Sequence, residues 1–175
     1  MIGVSPRRLI GKPPCRLIDP AHPGIERVAT LLRAAGHPGE IRVLPDACRT
    51  AAEAAAAVGC AVEQIAKSII FRGPEGRAVL VVTSGGNRVV EQRVVDALDG
   101  QPLGKADAAF VRETTGFAIG GVAPVGHLQP PIVFIDQDLR RYGEIWAAAG
   151  HPHAVFPLGF DDLVRLTGGT VITVC

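Results

Sequence analysis

Apolar residues at Ile25, Val28, Ala29, Leu32 and Ala35 recur every three to four positions, the period of one face of an α-helix. They predict a helix beginning at Pro23 and closed by Gly36. A short strand is expected over 40–44, and an alanine-rich helix over 49–58 that stops at Gly59. Two apolar runs follow, 62–71 and 78–83, separated by Arg72-Gly73-Pro74-Glu75-Gly76. Such runs on either side of a Gly-Pro turn predict a β-hairpin, with Gly85-Gly86-Asn87 ending its second strand. Helices are expected over 89–98 and 105–114, and a Gly- and Pro-punctuated loop over 116–127. Strands are expected over 132–135, 144–148 and 153–156, then a short helix over 161–166 and a last strand over 170–174. Short strands irregularly interleaved with helices predict an α+β fold with a mixed, curved sheet, rather than a regular βαβ series.

The 175 residues suffice for one domain with a full core, expected over 23–175. Residues 1–22, rich in Pro, Arg and Gly, are expected to form an extended arm. Aromatic residues make up 5% of the chain, too few for the stacking platforms of single-strand binders. A formal net charge of +1 argues against a protein whose main work is holding a long duplex, but leaves room for a local basic patch that grips the end of an RNA. Cys15, Cys48, Cys60 and Cys175 have neither CxxC nor zinc-finger spacing, so free thiols are expected, with no zinc site or disulfide framework. The N-terminus has no apolar core of a secretory signal, and no run of about 18 apolar residues exists. The expected compartment is therefore the cytoplasm, without a membrane partner.

Three features could carry chemistry. The chain has only three lysines, Lys12, Lys67 and Lys105, and Lys67 alone sits inside an apolar run. On a strand it shares a face with Ile65, Ile69 and Phe71, where an unpaired ammonium costs several kcal/mol. It reads either as a snorkelling or edge-strand lysine, or as a fixed positive charge facing a phosphate, a carbonyl or a developing oxyanion. The loop Gly120-Gly121-Val122-Ala123-Pro124 reads either as a plain tight turn or as a cradle aiming backbone groups at a small polar ligand. His151-Pro152-His153 resembles half a metal site without a third ligand, so no metal or other cofactor is expected, and His127 reads as lining a cavity beside the glycine loop. Neither a phosphate-binding Gly-x-x-x-x-Gly-Lys-Ser/Thr loop nor a Gly-x-Ser-x-Gly elbow is present.

These residues carry a family resemblance. Ile65-Ala66-Lys67-Ser68-Ile69-Ile70-Phe71 resembles the lysine strand of YbaK/ProX-type editing proteins, which are related to the insertion editing domain of bacterial prolyl-tRNA synthetase. Thr83-Ser84-Gly85-Gly86-Asn87-Arg88-Val89 resembles the family's glycine turn, Gly120 to Pro124 its Gly-x-x-x-Pro loop, and 147–150 with 160–163 its closing strand and helix. The likeness runs from about residue 23 to the end. It implies a barrel-like mixed sheet wrapped by helices, and hydrolysis in trans of the ester of a mischarged small amino acid on tRNA, with tRNA(Pro) the expected carrier. Lys67 takes the catalytic position. Ser68, Gly86, Gly120, Gly121, Val122, Ala123, Pro124, His127, Ala149, Gly150 and His151 are the expected substrate-binding residues. Cysteine-removing relatives carry Ser-Gly-Gly where this chain has Ala148-Ala149-Gly150, and some carry an acidic residue at Val155. The less polar set here implies a small aliphatic or hydroxylated amino acid. The implied partners are the acceptor end of mischarged tRNA and prolyl-tRNA synthetase, with the oligomeric state open. The alternative is a noncatalytic module of the same fold that holds aminoacyl-tRNA or a nucleotide-like ligand.

Overall fold

The structure, a computed structural model, describes residues 22–48 and 50–175. The expected arm therefore lies outside the described residues, apart from His22. Helix α1 (Pro23–Ala34) begins as its sequence dictates: Pro23 needs no N–H partner, and the ring of His22 accepts the Gly24 N–H at 3.2 Å. It buries Ile25, Val28 and Leu32. After the two-residue strand β1 (Arg42–Val43), helix α2 (Ala51–Val58) is opened by a reciprocal cap between Thr50 and Glu53 and closed by Gly59 in the left-handed region.

The expected hairpin forms as β2 (Ile65–Arg72) and β3 (Ala78–Ser84), in antiparallel register from Ala66↔Ser84 to Arg72↔Ala78. Its first three expected residues, Val62–Gln64, instead form a 3₁₀ turn. Helix α3 (Glu91–Ala97), strand β4 (Gly104–Lys105) and helix α4 (Ala108–Thr115) follow. The helix expected from 105 starts three residues later. Lys105 is drawn into a pairing with Phe71, and the Asp107 side chain caps the helix by accepting the Phe110 N–H at 2.8 Å. The chain ends with β5 (Ile132–Asp136), β6 (Ile145–His151), β7 (Ala154–Leu158), α5 (Phe160–Thr167) and β8 (Thr170–Ile172).

The sheet runs β1-β7-β6-β2-β3-β5-β8, with β4 also paired to β2. It is mixed, as expected: β2/β6, β3/β5 and β5/β8 are parallel and the other pairs antiparallel. Its path is open, with β1 and β8 at the edges. Every residue of β3 is buried. Leu80 and Val82 enter the main core, whereas Val79 and Val81 enter a second cluster with Phe71, Val94 and Phe134 on the other face. This alternation is what a period of two produces in a central strand covered on both sides.

One irregularity positions the site. Strand β2 pairs with β6 only at Ile65–Ala66, opposite Trp146–Ala147, and with β4 only at Phe71–Arg72. Between these points, the edge of β2 from Lys67 to Ile70 pairs with no strand among the described residues. The sheet splays there, and a cavity opens.

Candidate active site

Lys67 is the third residue of β2. Its even-numbered neighbours Ala66 and Ile70 enter the main core, while Ile65, Ile69 and Phe71 pack into smaller clusters on the face that Lys67 shares. The amine is half-buried and does not snorkel freely. Nζ donates to Asn87 O at 2.6 Å and to Gly85 O at 3.4 Å. Burial pulls its pKa below the ordinary lysine value, and the carboxylate of Asp136 opposes that shift.

The carbonyls that hold Lys67 belong to the turn after β3, and that turn is itself fastened from below. Asp136, fully buried at the end of β5, accepts through Oδ2 from Thr83 Oγ1 (2.9 Å), Ser84 N (3.1 Å) and Asn87 Nδ2 (2.8 Å). Its Oδ1 accepts from Asp138 N at 3.1 Å, and Asp138 in turn accepts from Asn87 Nδ2 at 2.9 Å. Sequence reasoning missed Asp136. The only signal was a carboxylate closing the apolar run Ile132–Ile135, and its partners lie about fifty residues away.

The opposite wall is the loop after α4. Gly120 has φ +88, a conformation that L side chains rarely adopt. Gly121 packs directly on the β6–β7 turn: a Cβ there would lie 2.7 Å from both His151 C and Cα. The loop is therefore more than a surface turn. It is pinned from behind, where a ring nitrogen of His127 meets Ala123 O at 2.9 Å and the imidazole stands edge-on to Phe117. The Arg27 guanidinium lies 4.5 Å over the Phe117 ring and donates to Thr115 O at 3.2 Å. Burial, and secondarily the nearby Arg27, outweigh the Ala123 hydrogen bond and push the His127 pKa down to about 4.

The cavity between these walls has a volume of about 530 Å³. Lys67, Ser68, Gly120, Val122 and His151 line it, so five of the expected site residues meet in one place. Ala147, Ala148 and Val155 supply apolar wall, Ile119 stands exposed at the rim, and Cys48 and Thr50 line it from the α2 side. The Cys48 thiol is pushed up by burial and then by Glu53 and Asp46, which keeps it protonated. The Ser68 hydroxyl oxygen is buried and finds no hydrogen-bond partner among the described residues.

The remaining expected residues lie elsewhere. Gly121 and Ala123 are buried in the loop behind the cavity wall. Pro124 and His127 line a second cavity, of about 420 Å³, on the far side of that loop; His127 braces the loop rather than facing Lys67. Ala149 is fully buried in β6, and Gly150 lies against the backbone of Gly24. Gly86 sits exposed on the turn between the residues whose carbonyls hold Lys67. The imidazoles of His22, His151 and His153 cluster, with centroids 4.6 and 5.4 Å from His151. Burial, then His22 and His153, lower the His151 pKa, which favours the neutral ring. Among the described residues, no group of three or more His, Cys, Asp or Glu side chains is placed to hold a metal ion, and no helix is long and apolar enough to cross a membrane.

Comparison with known proteins shows the family. Residues 45–166, which carry both walls, match the family model of the aminoacyl-tRNA editing domain. An uncharacterized protein of Bacillus subtilis, YwhH, is 31% identical over 127 residues, 72% of this chain and 80% of that protein. A proline–tRNA ligase of Bacillus licheniformis is 32% identical over 120 residues; these cover 66% of this chain but 20% of the ligase. A crystal structure described provisionally as a trans-editing enzyme for prolyl tRNA synthetase superposes with a TM-score of 0.81 at 44% identity, covering 87% of this chain and 97% of that one. With the lysine strand and the glycine loop facing each other across one cavity, and the match spanning both, the chain belongs to the aminoacyl-tRNA editing domain family.

Proposed function

We propose that this protein is an aminoacyl-tRNA deacylase acting in trans, which hydrolyses the ester of a mischarged small amino acid on tRNA(Pro). The observation that carries the reading is the Lys67 ammonium, held by two backbone carbonyls at one wall of a cavity whose other wall is the Gly120–Pro124 loop. An aminoacyl ester is already activated. Water attacks its carbonyl carbon, negative charge develops on the carbonyl oxygen, and the 3′ oxygen of the terminal ribose leaves with a proton. A fixed cation beside that developing charge lowers the barrier without having to reorganise. In this reading Lys67 faces the oxyanion or the adjoining phosphate. Gly120 and Val122 bound the amino-acid end, and the orphaned Ser68 hydroxyl meets a polar group of the substrate.

The apolar wall of Ala147, Ala148 and Val155 favours a small aliphatic or hydroxylated side chain. The family match and the ligase relatives support a tRNA substrate, and the trans-editing neighbour supports tRNA(Pro) and a working relationship with prolyl-tRNA synthetase. The test is to incubate the protein with a panel of mischarged tRNAs and follow ester loss, with Lys67→Ala in parallel. Loss of one or more esters that depends on Lys67 supports the proposal. Tight binding without turnover would instead assign the noncatalytic module.

A further inference from the structure

Among the described residues Lys67 has no carboxylate partner in direct contact, and its two hydrogen bonds go to backbone carbonyls of a turn. A turn is a weak anchor unless something holds it. Here the anchor is the buried Asp136, whose Oδ2 gathers the Thr83 hydroxyl, the Ser84 N–H and the Asn87 amide, while Asn87 presents its own carbonyl to Lys67 at 2.6 Å. Resting on the deacylase reading above, we propose that Asp136, acting through Asn87, is the positioning residue that sets where the Lys67 ammonium points.

The arrangement fits that role better than a purely structural one. A buried carboxylate at the end of β5 could satisfy its acceptors on β3 alone, through Thr83 and Ser84. Instead the Asn87 side-chain amide bridges Asp136 and Asp138, at 2.8 and 2.9 Å, and so fixes the side chain of the residue whose carbonyl receives the lysine. The charged groups around the network include Glu63, whose side chain packs against Gly86 of the turn. Asp138 is paired with Arg141 at 2.9 Å, and the Cys175 thiol lies 3.9 Å from Asp138. The Asp136 carboxylate is also the charge that offsets the desolvation of Lys67. Neither Asp136 nor Asn87 is among the residues that line the cavity, so each acts through Lys67 rather than on substrate.

The test exploits the scarcity of lysine. The full chain contains only Lys12, Lys67 and Lys105, so ¹³Cε-labelled lysine gives three signals, with that of Lys67 assigned by Lys67→Arg. Asn87→Ala releases the turn while keeping the backbone carbonyl; it is expected to move the Lys67 signal toward that of Lys105 and to lower kcat on a mischarged tRNA about 10- to 100-fold, with a smaller change in KM. Asp136→Asn keeps the shape but removes the charge; it is expected to move the Lys67 titration, and the alkaline limb of the kcat profile, to lower pH. If Asp136→Asn does not fold, Asn87→Ala decides alone, because Asn87 is only partly buried. Lys67 signals and titrations identical to wild type in a folded variant would overturn the proposal. A wild-type protein inactive on every mischarged tRNA would instead overturn the deacylase reading, while the lysine spectrum would still decide whether Asp136 and Asn87 position Lys67.

Discussion

The two walls of the cavity are held in place by different physics. The lysine wall is polar throughout: a buried carboxylate gathers hydroxyl, amide and backbone N–H donors, and the turn so fixed passes its carbonyls to an ammonium. The glycine wall is held by shape: close backbone approach at Gly121, an aromatic ring under Arg27, and one imidazole bond to Ala123 O. The first wall places a charge, and its failure should appear in the rate of the chemical step. The second sets a boundary, and its failure should appear in which substrates enter and in stability. Under the proposed deacylase function, a small cavity that discriminates between similar amino acids while attacking a bond common to all of them has reason to separate the two tasks.

Four substitutions break or sharpen that contrast. The largest effect is expected at Lys67→Arg, which keeps the charge but replaces a compact ammonium with a planar fork that does not fit between Asn87 O and Gly85 O. Single-turnover deacylation should slow about 10²-fold or more while the melting temperature hardly changes. Gly121→Ala should act on the other wall. Its Cβ would sit 2.7 Å from His151 backbone atoms, so the loop or the β6–β7 turn must move, at a cost of about 1–3 kcal/mol by denaturant unfolding. Discrimination between small amino acids should loosen more than the rate falls.

His127 tests the brace through pH. The unfolded chain takes up a proton near pH 6.5, and the folded chain only near pH 4, because burial disfavours the charged ring. Stability should therefore fall as pH drops through that window, by about 3 kcal/mol at most. His127→Gln, which can still donate to Ala123 O, should flatten that part of the stability profile. The smallest effect is expected for Arg165→Ala, which removes an exposed 2.8 Å pair with Asp162 and a 3.1 Å hydrogen bond to Ala35 O, and should cost no more than about 1 kcal/mol.

Much of this could be read from the chain before its structure, and what could not has a common cause. The face of α1, the hairpin and the helix stop at Gly59 follow from local periodicity and punctuation. Lys67 stood out because a lysine in the run Ile65–Phe71 contradicts its surroundings. Boundaries slipped where a distant partner decided them: Lys105 left its expected helix to pair with Phe71, and the strand expected over 144–148 runs on as β6 to His151 through an irregularity opposite β7. The lining of the candidate site was legible only in part, and its sidedness was not. Gly120 and His127 lie seven positions apart, yet one faces the lysine cavity and the other a second cavity behind the loop. Asp136 was invisible because burial of a carboxylate depends on donors from another strand, which no local pattern announces.

The most direct test is single-turnover hydrolysis of a mischarged tRNA(Pro) by excess enzyme, comparing wild type with Lys67→Met and measuring tRNA affinity in parallel. If the ammonium stabilises charge that develops as the ester is attacked, Lys67→Met binds tRNA within a few-fold of wild type but deacylates it about 10²- to 10³-fold more slowly. Equal rates in the two proteins would contradict the account.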